Sequence, residues 1–282
     1  AIYAEEFNIT AKEIIVDKDK QIITGVGSVK AIDSSGRVIN ADKIIYEQSK
    51  EFLLAEGDVK IYDNEGNTLT SEKSTYDKKN ELIITYGDTE LSINKGYKLS
   101  TININYDIIK KILSSNNSSI FTDSDGNVIE TEMFQYNVNE MLFSSIGKTK
   151  VVDINKNKYH FKELHVDTKK NEMIGSDVSI LLDQKNFGLD EKNDPRILAN
   201  DIFVSKNKTN LSRGVFTVCK IRKDKCPPWA IQAKEISHDK IKKTIYYDHA
   251  ILKFYDIPIF YFPKFFHPDP TVKRQSGFLS PF

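Results

Sequence analysis

The sequence has little cysteine, no excess of either charge and no long apolar run. Its 282 residues include two cysteines, and Lys+Arg and Asp+Glu both number 40, so the formal net charge is zero. Nucleic-acid-binding domains usually carry a basic excess, so we expect no nucleic-acid partner. Apolar runs stay well below the roughly eighteen residues that a transmembrane helix needs. Hydrophobic residues at 39% and charged residues at 28% are typical of a folded globular chain.

The chain also lacks the short motifs that mark many active sites. It contains no G-x-S-x-G nucleophile motif and no glycine-rich phosphate loop. The five histidines are scattered, and most carboxylates fall in turn segments. Two cysteines without positioned histidines do not make up the tetrahedral ligand set of a zinc site. We therefore expect no enzyme activity, no cofactor and no metal site.

The strongest pattern is a repeat of 30 residues, seen first in the spacing of Tyr46, Tyr76, Tyr106 and Tyr136. Several independent columns that hold one phase over successive units indicate a repeated structural element. The same phase is kept by two glycine columns and two apolar columns. The glycine columns are Gly36, Gly66, Gly96 and Gly126, and Gly27, Gly57, Gly87 and Gly147 with Asn117 in the fourth place. The apolar columns are Ile23, Leu53, Ile83, Leu113, Phe143 and Met173, and Ala31, Ile61, Leu91, Phe121, Val151 and Leu181.

Each unit is predicted to contain two antiparallel strands. In the first strand apolar residues alternate with polar ones, as at Ile44 and Tyr46, and residues two apart share one face of a strand. A polar turn such as 47–50 or 77–80 follows. Asp and Asn, which are frequent in these segments, suit turns because their side chains bond the local backbone. The second strand, for example 52–62, ends at a glycine turn such as 63–66, where glycine supplies a positive φ.

These strands predict an all-β fold. A long antiparallel meander with one apolar face must fold over on itself to bury that face, which gives a β-jelly roll or folded β-sandwich. A column of small residues would let each second strand bend, and its members are Gly25, Ala55, Thr85, Ser115, Ser145 and Gly175.

The inward apolar columns have two interpretations. They form a packed core, which is the commoner arrangement, or part of the interior is an open groove for lipid chains. Tyrosine suits either, because it has an apolar ring and a polar hydroxyl. The candidate groove residues are Ile14, Ile44, Leu53, Tyr46, Tyr76, Ile83, Ile104, Tyr106, Phe134, Tyr136, Phe143 and Leu164.

Beyond about residue 182 the repeat weakens and other motifs begin. They are RGVFTVC at 213–219, CPPWAIQA at 226–233 and IPIFYFPKFFHPDPTVKRQSGFLSP at 257–281. With these motifs and the A-D-x-x-x-Y pattern of the repeats, the chain resembles the LptD family of lipopolysaccharide-assembly proteins. These are also called OstA or organic-solvent-tolerance proteins, and the form of the motifs looks most like alphaproteobacterial members. The resemblance covers nearly the whole chain.

The resemblance implies lipopolysaccharide transport and assembly at the periplasmic face of the cell outer membrane. Residues 1–250 would form a periplasmic OstA-like jelly roll, with repeats over about 11–182 and a less regular part over 183–250. Residues 251–282 would connect to a C-terminal outer-membrane β-barrel. An LptA-type bridge protein would pair with the N-terminal edge strand and deliver lipopolysaccharide, whose acyl chains would pass along the groove. An LptE-type lipoprotein would bind the barrel. The alternative is a structural periplasmic bridge module without its own lipid site.

Cys219 and Cys226 also have two interpretations within this resemblance. A cysteine pair persists as a disulfide in an oxidising periplasm, and the spacing permits a local bridge. Family members also use N-terminal cysteines to bond cysteines in the barrel. We expect the local bridge, and pairing with barrel cysteines stays open.

Overall fold

The computed structural model describes residues 7–93, 96–187, 192–222, 227–268 and 272. Within these residues the chain is all-β, as predicted, with 21 strands, two short 3-10 turns and no α-helix. This described part contains no helix long and apolar enough to cross a membrane. The chain divides into two compact units, 1–139 and 140–282, a division that the unbroken repeat phase did not predict.

The strands of unit 1 pair antiparallel, and the long strand β3 carries both β1 and β2 along one side. The predicted strand at 52–62 coincides with β5. The strands of this unit are β1 (Phe7–Thr10), β2 (Glu13–Asp17), β3 (Ile22–Asp33), β4 (Val38–Glu47), β5 (Phe52–Tyr62), β6 (Thr68–Asp77), β7 (Leu82–Tyr86), β8 (Asp88–Ile93), β9 (Tyr97–Ile102), β10 (Asn105–Asp107), β11 (Ile112–Ser115), β12 (Ser119–Thr122) and β13 (Val128–Asn137).

The long strands β3 to β6 bend midway at register shifts in their pairing. In β5 the shift lies between Glu56 and Val59, where Gly57 has φ 78° and Asp58 has φ 41°. Glycine adopts such a φ at little steric cost, and a bulge of this kind turns the strand. A Cβ on Gly57 would lie 2.5 Å from a carboxylate oxygen of Asp42. The bend therefore places the two halves of a strand in different layers.

Between β7 and β12 the bends become breaks, as between β7 and β8 at Gly87, whereas β13 is again one continuous strand. The pairings then form a closed antiparallel circuit of eight strands in the order β6, β7, β10, β11, β13, β12, β9 and β8. Together with the bends of β3 to β6, this circuit makes the jelly-roll-like folded β-sandwich that the sequence predicts.

Unit 2 is a meander in which each described strand pairs with the next. The predicted boundary at residue 250 falls inside β20, and the role of 251–282 stays a prediction. The strands of this unit are β14 (Leu142–Val152), β15 (Lys158–Asp167), β16 (Glu172–Leu181), β17 (Arg196–Val204), β18 (Lys208–Thr217), β19 (Trp229–Asp239), β20 (Thr244–Phe254) and β21 (Ile257–Pro268).

Candidate functional site

The tyrosine column and one apolar column form a single inward line in unit 1. Tyr46 lies opposite Ile23 on one side and Leu53 on the other, and Tyr76 lies between Leu53 and Ile83. Tyr46, Leu53 and Tyr76 are 3%, 1% and 5% exposed, whereas Ile83 is half-buried. Along the same line lie the half-buried Tyr106, Leu113 and Tyr136.

Among the other candidates in unit 1, Ile44, Ile104 and Phe134 are buried. Ile14 differs, since its side chain is 47% exposed although it stands one repeat before Ile44. The reason is its place in β2, whose hydrogen-bonded neighbour within the described residues is β3. Ile14 therefore lies at an edge of the sheet, outside the enclosed interior.

A second inward line faces the first from the other layer. Ile39 pairs with Ala31 and Ile61, and Leu99 pairs with Leu91 and Phe121. Because the layers face each other, Phe121 meets Phe134 edge-on with ring centroids 4.6 Å apart.

The interior between β3 and β6 is filled by these side chains. Phe7 packs edge-on against Tyr46 at a centroid distance of 5.1 Å and against Tyr76 at 6.2 Å. Next to Leu53 and Ile83 the remaining cavity measures about 10 Å³. That space is about the size of one water molecule. In this part of unit 1 the structure therefore has a packed core and no open groove.

The small-residue column lies inside the bend, where two halves of one strand come together. A Cβ on Gly25 would lie 2.9 Å from a methyl group of Val29, four residues along. Later 30-residue repeats have hydroxyl groups at this place. The side-chain oxygens of Thr85 and Thr89 lie 2.9 Å apart, and both residues are buried. Thr85 also accepts a hydrogen bond from the backbone N–H of Ile104 at 2.7 Å. Buried hydroxyls are tolerated because they are hydrogen-bonded.

The interior of unit 1 opens into a cleft of about 560 Å³, which we call the mouth. It is bordered on one side by the turns that follow β3 and β5, and on the other by the ends of β6 and β10 and the turns beyond them. Its lining residues are Phe7, Asp33, Ser34, Ser35, Arg37, Asp63, Asn64, Glu65, Tyr76, Lys78, Glu81, Tyr106, Ile108 and Lys111.

Arg37 links the two sides of the mouth. Its Nε donates to Asp33 at 2.6 Å within its own turn, and its Nη2 donates to the hydroxyl of Tyr76 at 3.2 Å. The guanidinium carbon lies 5.0 Å from the centroid of the Tyr76 ring. The Tyr76 hydroxyl in turn donates to Glu81 at 2.9 Å. Arg37 and Glu81 carry no sequence signal of this role, because each is an ordinary turn residue when it is seen alone.

The charges of the mouth follow from this network. Burial acts to raise the pKa of Asp33, but hydrogen bonds from Ser35 and Arg37 together with the Arg37 charge lower the pKa overall. Burial raises the pKa of Tyr76, to which the hydrogen bond with Glu81 adds. Burial likewise raises the pKa of Tyr106. The mouth therefore combines fixed charges with neutral phenol groups at neutral pH.

The candidates in unit 2 are also inward-facing. Phe143 is 5% exposed and Leu164 is fully buried, opposite Ser145 and Gly175. A Cβ on Gly175 would lie 2.5 Å from a ring carbon of Phe161. The packing around Leu164 is therefore tight.

The motifs beyond the repeats, which begin at residues 213, 226 and 257, lie in unit 2. Cys219 is half-buried, with its Sγ 3.7 Å from the backbone oxygen of Trp229. Cys226 lies outside the described residues, so the disulfide stays a prediction. In β21 the neighbouring residues Phe260 and Tyr261 are 59% and 55% exposed. Adjacent residues of a strand point to opposite faces, so β21 exposes aromatic side chains on both.

Comparisons with known proteins give a limited result. No protein-family model matches the chain, and no curated protein matches it. Among solved structures, the chain is similar to the crystal structure of LptH, the LptA homologous periplasmic component of the conserved lipopolysaccharide transport device from Pseudomonas aeruginosa. The identity is 12%, the match covers 36% of this chain and 75% of LptH, and the TM-score is 0.33. A likeness of this size carries no argument about function.

Proposed function

We propose that this chain is a periplasmic component of lipopolysaccharide transport that holds acyl chains between the two layers of its folded sheet. The observation that carries the proposal is the pair of facing apolar lines in unit 1, together with the mouth that opens beside them. Removing acyl chains from water contributes roughly 0.8 kcal/mol for each buried methylene group. The glycan would stay outside the fold in water.

Within this proposal the chain is the N-terminal part of an LptD-type protein. The support is the sequence resemblance at 213–219, 226–233 and 257–281. Lipopolysaccharide would pass from the interior toward an outer-membrane barrel, and an LptE-type lipoprotein would bind that barrel. The exposed aromatic residues of β21 are compatible with a segment that meets other apolar surfaces.

The partner on the N-terminal side would be an LptA-type bridge protein. Ile14, Ile15 and Val16 of β2 are 47%, 53% and 41% exposed. A strand with unpaired backbone groups and apolar side chains can accept a further strand from another protein. Docking by strand addition at β2 would extend the two apolar lines into the partner.

A structural bridge module without its own lipid site is the second candidate. It is favoured by the cavity of only about 10 Å³ between β3 and β6. Under this alternative the interior stays packed, and the repeats serve to span distance. Under the lipid-carrier proposal the layers must separate when cargo arrives.

Binding of lipopolysaccharide to the purified chain distinguishes the two candidates. Native mass spectrometry would measure complexes with lipopolysaccharide, with the deacylated glycan from the same preparation as the control. The proposal expects complexes that the glycan does not compete away. Absence of complexes, or equal binding of the deacylated glycan, would reject the carrier and leave the bridge module.

A further inference from the structure

We propose that Arg37, Tyr76 and Glu81 form a latch across the mouth, and that the anionic group of an amphiphile bound there takes the Arg37 guanidinium away from Tyr76. The inference rests on the proposed function, because the alkyl chain of that amphiphile would enter the same interior. It adds the residue that recognises the head group and the contact that keeps the empty mouth closed.

The latch joins two sides of the mouth that the backbone pairing leaves apart. Arg37 follows β3 in a turn held by Asp33, whereas Glu81 lies in the turn between β6 and β7. Tyr76 stands between them, accepts from Arg37 and donates to Glu81. The Nε of Arg37 is bonded to Asp33, whose side chain is only 7% exposed. This buried partner holds Arg37 in its own turn. The latch opens when the whole planar guanidinium turns away from Tyr76, while the backbone N–H of Arg37 stays bonded to Asp33.

The 30-residue repeat usually has asparagine where Arg37 stands. The same position in three later repeats is occupied by Asn67, Asn127 and Asn157. Their side chains donate to an aspartate of the same turn, at 2.6 to 2.8 Å, as Arg37 does to Asp33. An asparagine is thus enough to make the hydrogen bond within the turn. The longer, charged side chain of Arg37 also reaches Tyr76. Position 81 also varies between repeats, since the residue one repeat after Glu81 is Lys111.

The mouth combines apolar surface with a guanidinium that can bind an anion. Phe7, Tyr106 and Ile108 offer apolar surface to the cleft, whose lining also includes Lys78 and Lys111. The lining also includes Asp63, Glu65 and Glu81, so the cleft as a whole has no basic excess, and the anion-binding group is the guanidinium of Arg37. A guanidinium binds phosphate oxygens through paired N–H donors, which a phenol oxygen cannot match. A phosphate ester with an alkyl tail therefore fits both parts of the site.

Two soluble probes separate head-group recognition from chain binding. Dodecyl phosphate carries the anion and dodecyl maltoside does not; both are used below their micelle concentrations, and inorganic phosphate serves as a competitor. We expect Arg37→Asn to weaken binding of dodecyl phosphate about tenfold or more, the loss of one charge-assisted contact. Because the latch is then open, binding of dodecyl maltoside should be unchanged or tighter. Arg213→Asn in unit 2 is the control for the loss of one positive charge.

Tyr76→Phe tests the latch without touching the arginine. The ring stays in the core, but the hydroxyl that joins Arg37 to Glu81 is gone, so both probes should bind at least as tightly as to the unchanged chain. Spin labels at Ser34→Cys and Lys79→Cys, in a chain with both native cysteines replaced by serine, report the width of the mouth. Dodecyl phosphate should lengthen that distance, and inorganic phosphate alone should not.

Several outcomes would overturn the inference. Equal weakening of both probes by Arg37→Asn would give Arg37 a purely structural role. Inorganic phosphate that binds as tightly as dodecyl phosphate would indicate an anion site without a lipid. Failure of both probes to bind, in a chain that binds lipopolysaccharide, would remove the latch and leave the proposed function standing. Failure with lipopolysaccharide as well would reject both.

Discussion

The side-chain oxygens of Thr85 and Thr89 lie 2.9 Å apart, although the two residues are four positions apart in the chain. In an extended strand that separation would span about 13 Å. The contact exists because the chain turns at Gly87, which has φ 80°. Unit 2 repeats it between Ser145 and Thr149 at 2.8 Å. The bend is therefore a repeated part of the fold, stabilised in these units by buried hydroxyls.

Replacing the first of these hydroxyls should destabilise the fold. Thr85→Val keeps the shape of the side chain but removes the acceptor for the backbone N–H of Ile104. A buried donor left unpaired costs about 1–3 kcal/mol, which urea unfolding would measure. Thr24→Val is the control, since Thr24 stands beside Gly25 on the opposite face of β3. Equal effects of the two substitutions would show that the buried contact contributes nothing.

The glycine at the bend of β5 should tolerate a side chain less well than a turn glycine. Gly57 and Gly96 both have positive φ, at 78° and 89°. A Cβ on Gly57 would lie 2.8 Å from the Cβ of Asp42, whereas a Cβ on Gly96 would lie no closer than 3.5 Å to Ser124. Both Gly→Ala changes carry a backbone strain of about 1–2 kcal/mol, and Gly57→Ala adds the steric clash.

Urea unfolding of the two alanine variants measures this difference directly. The larger loss of unfolding free energy is expected for Gly57→Ala. If Gly96→Ala were as destabilising as Gly57→Ala, the close approach of β4 to the bend would contribute nothing to the loss of unfolding free energy.

Much of this fold follows from local patterns. The strand at 52–62 and the turn at 63–66 lie where the apolar alternation and the turn glycine predict them. Asp63 stabilises that turn by accepting hydrogen bonds from the backbone N–H groups of Glu65 and Asn67. The inward position of the tyrosine column also follows, because a period of two fixes the face of each side chain.

Other features depend on which segments meet in space. Arg37 and Tyr76 are 39 residues apart, and no pattern near either one indicates the other. Ile14 shares its repeat column with Ile44, yet its exposure depends on its place in an edge strand. How tightly the layers close likewise depends on packing along the whole length of the sheet.

Stability at high pH should depend on Tyr247. This side chain is 4% exposed, its hydroxyl lies 3.0 Å from a ring nitrogen of His267, and burial raises its pKa. A raised pKa means that the stabilising contribution is complete below the ordinary value of 10.0 and is lost as the pH rises above it. One such group changes the unfolding free energy by about 1.4 kcal/mol per pH unit.

Urea unfolding at about pH 9 and about pH 11 tests this expectation. Tyr247→Phe should remove part of the alkaline loss of stability. Tyr246→Phe should keep it, because Tyr246 is 38% exposed on the opposite face of β20. The same alkaline loss in both variants would mean that burial does not raise the pKa of Tyr247 above its value in the unfolded chain.

The pairing of Cys219 and Cys226 is testable by mass. Protein made in an oxidising compartment and measured without reductant should have the mass of a chain with one internal disulfide. Alkylation before and after reduction provides the control. Two thiols that react freely without reduction would contradict the predicted local bridge.

Photo-crosslinking at neighbouring residues tests most directly whether lipid enters the interior. Phe134 and Tyr106 face inward, while the adjacent Gln135 and Asn105 are exposed. A photoreactive phenylalanine at each position, illuminated with lipopolysaccharide, should give adducts at the two inward positions and few at their neighbours. Adducts at all four positions alike, or at the exposed pair alone, would contradict an acyl-chain site between the layers.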